Sequence, residues 1–197
     1  FNYYTKLSPY DSTNENKSDG GSYGNYGFIS EVHDGGFEIC PGTSPGQVDG
    51  PTSEDFAAWC WKAGNDTTSV TTNLTNCSEV SQSVNVDAGF AITRYQSNSS
   101  ASVVFPHNLG KTPEWIIVKN RDDTNSWMVW HKSLTAGNNN LRLDTAVTMT
   151  SSGSGYINAP TSTLINLEAG GGNVAGSGTN YICYAWTGIE GYSKFGS

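Results

Sequence analysis

The densest run of apolar positions lies at residues 105–131, where two segments with β-strand alternation follow one another. Trp115–Asn120 reads WIIVKN and residues 126–131 read SWMVWH, with the polar sequence RDDTN between them. Two such segments around a polar turn predict an antiparallel hairpin. Turn residues at 109–113 precede it, so a short strand at residues 102–105 should lead into the hairpin. Because β-branched and aromatic residues are most concentrated here, we expect this region to form the core.

The first eight residues also alternate, which predicts a short N-terminal strand. A polar, Gly-rich stretch at residues 9–26 follows and has neither helical nor strand period, so it is typical of a tether. The strand is therefore expected to be detached from the rest of the fold. One of its faces carries Phe1, Tyr3, Thr5 and Leu7.

The next segments predict short strands at residues 27–32 and Gly36–Cys40, with turn residues at 33–35 and a long Pro- and Gly-containing loop at 41–54. Residues 55–64, DFAAWCWKAG, could form a helical turn on propensity alone. Their aromatic positions align with those of YICYAWTGI at residues 181–189, where the alternation is that of a strand. The alignment predicts a strand at residues 55–64 as well.

These patterns divide the chain into four parts. They are an N-terminal strand at 1–8, a tether with a small β segment at 9–64, a Ser/Thr/Asn-rich connector at 65–86, and a β-sandwich domain at 87–197. About eight short strands separated by turns predict an all-β fold with two packed sheets, either jelly-roll-like or lectin-like.

The composition supports this fold class and limits the function. The chain of 197 residues has 23 Gly, and its net charge is −8 with only ten Lys plus Arg. Binding to nucleic acid or to an anionic membrane surface requires clustered basic side chains, so we expect neither partner. No apolar run approaches the roughly 20 residues that span a bilayer. Because the chain begins at Phe1 rather than Met, we expect a processed or trimmed polypeptide.

Four cysteines allow three disulfide connectivities and lack the spacing of a metal site. We expect the cysteines to form two disulfides, which would indicate an oxidising compartment; the polar, Gly- and Asn-rich composition also suggests such a compartment. The alternative is that some of these side chains are buried free thiols. The candidates are Cys40, Cys60, Cys77 and Cys183.

Three blocks of sequence resemble a β-rich domain found in tail-fibre and appendage proteins of aquatic bacterial viruses and their environmental relatives. The blocks are GFAITRY at 89–95, PHNLGKTPEWIIVKNRDDTNSWMVWHKSL at 106–134 and YICYAWTGIEGYSKFGS at 181–197. AWCWKAG at 58–64 is similar to the end of the module that often precedes this domain, so the resemblance covers about residues 55–197. It implies a structural, surface-exposed protein that assembles, with no enzymatic activity to carry over.

Candidate catalytic and metal-binding residues are few. His107 and His131 lack a nucleophile pattern, and we expect their rings to bond to nearby backbone. Residues 121–125, RDDTN, are rich in oxygen ligands but lack the spacing of a calcium loop, so a hairpin turn is favoured. The pairs Glu31 with Asp34 and Asp122 with Asp123 could be cast as glycosidase carboxylates, but sequence alone cannot set their separation. We therefore expect no enzyme, no cofactor and no metal ligand.

Aromatic residues and glycosylation sequons are the remaining surface features. All six Trp lie in strand patterns, and we expect at least four to be half buried, while exposed rings would stack on sugars or on other subunits. Five N-x-S/T sequons fall in predicted loops, where a glycan could be tolerated. They are at Asn16, Asn65, Asn73, Asn76 and Asn98.

Two function classes follow from these observations. The first is a structural protomer of an extracellular or virion fibre, whose partner is another copy of itself in a helical or fibrous homo-oligomer. In this case the tethered strand at 1–8 would pair with the sheet edge of a neighbouring subunit, although it could instead fold back on its own sheet. The second is a carbohydrate-binding adhesin module that recognises surface glycans.

Overall fold

The computed structural model describes residues 28–33, 35–40, 58–134, 139–143, 155–170 and 172–196. Every regular element in these residues is a β-strand, which confirms the all-β prediction. The strands are β1 (Phe28–His33), β2 (Gly36–Cys40), β3 (Thr68–Ser69), β4 (Cys77–Asn85), β5 (Phe90–Ser97), β6 (Val103–Pro106), β7 (Trp115–Asn120), β8 (Met128–His131), β9 (Leu141–Arg142), β10 (Leu164–Leu167) and β11 (Asn180–Trp186).

Seven of these strands form one large antiparallel sheet in the order β3-β4-β5-β11-β7-β8-β9. The predicted hairpin is present, because β7 pairs with β8 and Trp115 lies opposite His131. The last strand in sequence, β11, lies between β5 and β7, with Cys183 opposite both Thr93 and Val118. The β7–β8 hairpin is thus joined to β3, β4 and β5 of the large sheet through β11.

A second, two-stranded sheet of β6 and β10 packs on one face of the large sheet, here called the inner face. Phe105 of β6 lies opposite Ile165 of β10, and both side chains are fully buried. Phe105 packs against Tyr95 with ring centroids 4.9 Å apart, and Tyr95 stacks on Tyr181 at 5.0 Å. This dry layer between two sheets is the core expected of a sandwich, so the predicted two-sheet architecture is confirmed.

The opposite face of the large sheet, here called the outer face, is also apolar and buried. Burial on both faces explains why β7 and β11 read as nearly continuous apolar runs rather than as strict alternation. The buried side chains of this face are Phe90, Ile92, Ile117, Trp127, Val129, Ile182 and Trp186.

The strands β1 and β2 form a separate antiparallel hairpin, as their sequence predicts. Ile29 lies opposite Ile39, but the register then shifts so that Glu31 lies opposite Glu38. Within the described residues, this hairpin pairs with no other strand. The predicted N-terminal strand at 1–8 lies outside the described residues.

The strand predicted at residues 55–64 is not present in the described residues 58–64, which have no regular structure. This segment instead lies against the large sheet. The position of Gly64 is so close to the Val84 carbonyl that a side chain there would collide with it, and Ser83 donates a hydrogen bond to the Gly64 carbonyl at 2.9 Å. Trp61 of the segment packs against Phe90 and Trp186 on the outer face, so an aromatic position that resembles a strand pattern here reflects packing on a sheet face.

The interpretation of residues 65–86 as a connector is also corrected. This stretch contains β3 and β4, and β4 pairs with β5 along most of its length. Its polar residues are not loop residues, because the Gln82 side chain is buried and donates a hydrogen bond to the Thr93 hydroxyl at 3.0 Å. The sandwich therefore begins before residue 87.

Candidate functional site

A group of packed aromatic rings on the outer face, here called the aromatic cluster, presents one tryptophan, Trp61, to solvent. Trp186 lies at its centre, with ring centroids 4.4 Å from Trp115, 4.9 Å from Phe90 and 5.4 Å from Trp61. Trp61 is 47% exposed, and Trp59 nearby in sequence is 76% exposed. An aromatic ring that packs on other rings with one side and is exposed to solvent on the other can stack on a sugar or on a second protein surface.

A polar border adjoins this cluster. The Glu114 backbone N–H donates to the Trp186 carbonyl at 2.7 Å, and its carboxylate accepts an ion pair from Lys132 at 2.9 Å. The indole N–H of Trp186 is buried and has no acceptor within the described part of the chain. Of the six tryptophans, Trp115, Trp127, Trp130 and Trp186 are at least half buried, as expected from their strand patterns.

The two edges of the large sheet differ in character. At one edge, β3 is two residues long, and Thr68 and Ser69 are both exposed and polar. At the other, β9 has one neighbour among the described strands, β8, and exposes Leu141 and Leu143 at 38% and 36%. The Leu143 N–H still donates to the Trp127 carbonyl at 3.2 Å, so the apolar edge continues past the end of β9.

His107 is held by backbone groups, as the sequence indicates. It follows β6, where Asn108 and Gly110 adopt positive φ angles of 55° and 73° and turn the chain. Its Nδ1 accepts the Leu109 N–H at 3.2 Å, so Nε2 carries the proton and donates to the Thr161 carbonyl at 3.3 Å. Burial lowers the pKa of this imidazole below its ordinary value, despite the opposing effect of the Thr161 carbonyl. With both ring nitrogens engaged, His107 is not placed to act as a base.

A cleft of about 500 Å³ opens beside this turn. Its polar groups are side-chain amides, hydroxyls and backbone rather than an arrangement of acid and base. The lining residues are Asn73, Pro106, His107, Asn108, Gly110, Ser162, Thr163 and Leu164. We assign the cleft no chemistry.

The turn at residues 121–125 is held by hydrogen bonds to the side-chain oxygens of Asn120 and Asp122. The Asn120 side-chain oxygen accepts the backbone N–H groups of Asp122 at 2.9 Å and Asp123 at 3.1 Å. Asp122 in turn accepts the backbone and side-chain N–H groups of Asn180. These bonds favour the hairpin-turn interpretation over a calcium loop. His131 also bonds to local backbone, since its Nδ1 accepts the Ser133 N–H at 3.2 Å.

The cysteines differ from the disulfide prediction, because Cys60, Cys77 and Cys183 are free thiols. Cys77 on β4 lies opposite Ser97 of β5, whereas Cys183 on β11 lies opposite Thr93 of β5. Two strand spacings and four residues along the strand place them roughly 16 Å apart, beyond the reach of a disulfide of about 7 Å. Burial raises the pKa of Cys77 to about 11 and raises that of Cys183 further. Cys40 ends β2, and its side chain lies outside what the structure describes. Two disulfides would need all four thiols, so that prediction is corrected.

The sequon asparagines that the structure describes are all exposed, as expected of loops; they are Asn65, Asn73, Asn76 and Asn98. Two of them already bond through their side chains. The Asn76 amide donates to the Ser102 carbonyl at 2.8 Å, and the Asn98 oxygen accepts the Ser78 hydroxyl at 2.7 Å. Asn16 lies outside the described residues. Glycosylation stays a prediction.

Sequence reasoning missed one group of side chains, on the β1–β2 hairpin. Glu31, His33 and Glu38 each offer a ligand atom, and these atoms lie within 4.8 Å of one another. The signal in the sequence was the Glu-x-His alternation before the turn, followed by a glutamate five residues later. Whether these three side chains lie on one face of the hairpin depends on the strand register, which the sequence alone does not give. The proposed carboxylate partner of Glu31, Asp34, lies outside the described residues.

Comparisons with known proteins place the chain in a family but not in a functional class. Comparison with curated proteins found no match, and comparison with solved structures found none either. No helix long and apolar enough to cross a membrane occurs in the described residues. The model of a domain of unknown function, DUF7483, matches residues 7–197. Since this match covers nearly the whole sequence, the chain belongs to the DUF7483 family.

Proposed function

We propose that this protein is a structural protomer of an extracellular or virion fibre that assembles through β contacts between subunits. The observation that carries the proposal is the open large sheet, whose edge at β9 has one neighbour among the described strands and exposes Leu141 and Leu143. The likeness to tail-fibre and appendage domains agrees with this role.

An edge strand of this kind favours pairing with another chain. Monomeric β proteins usually protect an edge with charges, Pro or bulges, because its unpaired N–H and C=O groups are a template for strand addition. Leu141 and Leu143 are two residues apart and exposed, so they share one face of the edge. An incoming strand would bury both leucines while its backbone extends the sheet.

The proposed incoming strand is the alternating segment at residues 1–8 of a neighbouring subunit. Its apolar face consists of Phe1, Tyr3, Thr5 and Leu7. Repeated head to tail, a contact between unlike surfaces builds an open filament unless its geometry closes into a ring. The same contact requires no cofactor and no catalysis.

The test is deletion of residues 1–8, followed by negative-stain electron microscopy and analytical ultracentrifugation. We expect the intact chain to form long assemblies and the truncated chain to remain in small species. A second variant, Leu141→Lys with Leu143→Lys, should also abolish assembly, because lysines on an edge oppose strand addition. The matched control, Thr68→Lys with Ser69→Lys at the opposite edge, should assemble normally. Long assemblies from the truncated chain would remove residues 1–8 as the connector.

A second candidate function is a carbohydrate-binding adhesin module, favoured by the exposed Trp61 of the outer face. Trp61 is half exposed above stacked rings, which is a suitable platform for a pyranose face. A glycan array probed with the intact chain and with Trp59→Ala and Trp61→Ala tests it. Loss of a glycan signal in these variants, with retention in the exposed-ring control Tyr192→Ala, supports the adhesin. A chain that binds no glycan excludes it.

The cellular location belongs to the same proposal. Because the described cysteines are free thiols, the disulfide argument for an oxidising compartment no longer supports it. The extracellular or virion location is supported by the family resemblance, by the polar composition and by the exposed sequons in loops.

A further inference from the structure

The β1–β2 hairpin gathers three potential metal ligands on one face. Glu31 and His33 are two residues apart on β1 and therefore point to the same side of the hairpin. Glu38 lies directly opposite Glu31 on β2 and shares that side. All three side chains are exposed, and the His33 Nε2 lies 3.3 Å from the Glu38 carboxylate.

This arrangement depends on the register shift between Ile29 and Glu31. Without the extra residue on β1, Glu38 would face Ser30, and its carboxylate would lie on the opposite side from Glu31 and His33. β-bulges commonly re-aim a side chain near a functional site. Here the shift brings two carboxylates face to face, an arrangement that costs stability unless a positive charge lies between them.

The donor set indicates the class of ion. One imidazole nitrogen and two carboxylate oxygens suit Zn²⁺ and related divalent transition metals, whereas Ca²⁺ and Mg²⁺ require oxygen ligands in larger number. Zinc bonds of about 2.0–2.1 Å place neighbouring ligand atoms about 3.3 Å apart in a tetrahedron, and His33 and Glu38 already show that separation. The third ligand atom lies within 4.8 Å of both, a distance that a rotation of the exposed Glu31 side chain can close.

We propose that Glu31, His33 and Glu38 form a binding site for a divalent transition-metal ion of the Zn²⁺ class. The ion links the two strands and leaves a fourth coordination position for water or another ligand. A two-stranded hairpin is marginally stable by itself in water. A metal bridge across its strands stabilises the folded hairpin, because the unfolded segment does not hold the three ligands together.

The experiment is isothermal titration calorimetry of the intact chain with ZnCl₂ and, separately, with MgCl₂. We expect one Zn²⁺ per chain and no Mg²⁺ binding at the same concentrations. His33→Ala and Glu38→Gln should each weaken Zn²⁺ binding at least tenfold. The control Glu79→Gln neutralises an exposed carboxylate of the large sheet and should bind Zn²⁺ as the unaltered chain does. Circular dichroism checks that every variant is folded.

A second measurement identifies the ligands directly. Co²⁺ in place of Zn²⁺ should give visible absorption of a four-coordinate site, and this band should be absent in His33→Ala. The proposal is overturned if the intact chain binds no Zn²⁺, or if His33→Ala and Glu38→Gln bind it as tightly as the Glu79→Gln control. The outcome is independent of whether the protein forms fibres.

Discussion

At the scale of single residues, the three described thiols differ sharply in exposure. Cys183 is fully buried, Cys77 is nearly so, and Cys60 is exposed. Since the thiolate is the reactive form, burial protects a thiol both by excluding reagent and by raising its pKa, which for Cys77 reaches about 11. We therefore expect iodoacetamide at pH 8 to alkylate Cys60 in the folded chain and to leave Cys77 and Cys183 unmodified.

Peptide mapping by mass spectrometry checks this prediction residue by residue. Alkylation in urea is the control, and it should modify all three thiols. A folded chain in which Cys77 or Cys183 is modified as fast as Cys60 would contradict the buried placement. A peptide pair that appears only after reduction would contradict the free-thiol state.

His107 gives a pH dependence whose sign follows from its burial. The folded-state pKa is lowered from the ordinary value of 6.5, so the unfolded chain takes up this proton first as the pH falls. The contribution of neutral His107 to stability is therefore present above pH 6.5 and decreases as the pH falls toward the lowered pKa. We expect the free energy of unfolding to fall between pH 7 and pH 5, and His107→Gln to reduce that fall.

Urea unfolding at several pH values from 5 to 7 measures this effect. His131→Gln is the control, because it makes the same substitution at a histidine that is only partly buried. The comparison uses the slope of the unfolding free energy against pH. A loss of stability in the variant that is the same at every pH therefore does not affect it. Parallel curves for His107→Gln and the unaltered chain would show that His107 does not contribute.

At the scale of elements, the turn between β4 and β5 depends on Gly89. This residue has φ of +66°, and a Cβ there would lie 2.5 Å from the Thr187 carbonyl oxygen, just after β11. Gly89→Ala therefore adds a backbone collision to the cost of a left-handed conformation, and we expect a loss of about 3 kcal/mol in unfolding free energy. Urea denaturation followed by tryptophan fluorescence measures it.

Gly110 supplies the matched control for this prediction. Its φ is +73°, yet a Cβ there would meet no atom within 4 Å. Gly110→Ala should therefore cost only about 1 kcal/mol, the cost of the left-handed conformation. Equal losses at the two positions would mean that the contact between Gly89 and Thr187 is not as close as described.

The strands themselves were largely predictable from the sequence. WIIVKN, the MVWH run and NYICYAW became β7, β8 and β11, because a short apolar run between turn residues has few alternatives to a buried strand. The segment at 58–64 was mispredicted since aromatic residues that pack on a sheet face resemble those within a strand. The strand at residues 77–85 was missed because its Ser and Gln residues are typical of loops. In the structure the Gln82 side chain is hydrogen-bonded inside the fold, so a polar sequence can form a buried strand here.

The candidate sites were less predictable than the strands. The backbone role of His107 followed from its neighbours in sequence, and the structure confirms it. The group of Glu31, His33 and Glu38 did not follow, because a shift of one residue in register decides which carboxylates face one another. Free thiols were misjudged for a similar reason, since cysteine spacing carries no information on which strands separate the side chains.

At the scale of the whole molecule, β4 makes residues 65–86 part of the sandwich. It covers one side of β5, and it contributes the buried residues Cys77 and Val80 to the inner core. We expect a fragment of residues 58–197 to unfold cooperatively on heating and a fragment of residues 87–197 to lack cooperative unfolding. Near-ultraviolet circular dichroism during thermal melting compares them. A sharp transition in the shorter fragment would restore the connector interpretation of 65–86.

The central position of β11 determines when the large sheet can be completed during synthesis. During synthesis β5 and β7 are made well before β11, the strand that joins them in the large sheet. Until then each half of the large sheet has an open edge, and such transient edges are prone to pair with the wrong chain. The contacts of β11 also join distant parts of the sequence, which slows folding. The large sheet is therefore incomplete until β11 has been made, and a chain cut short before β11 would carry two unjoined halves of it.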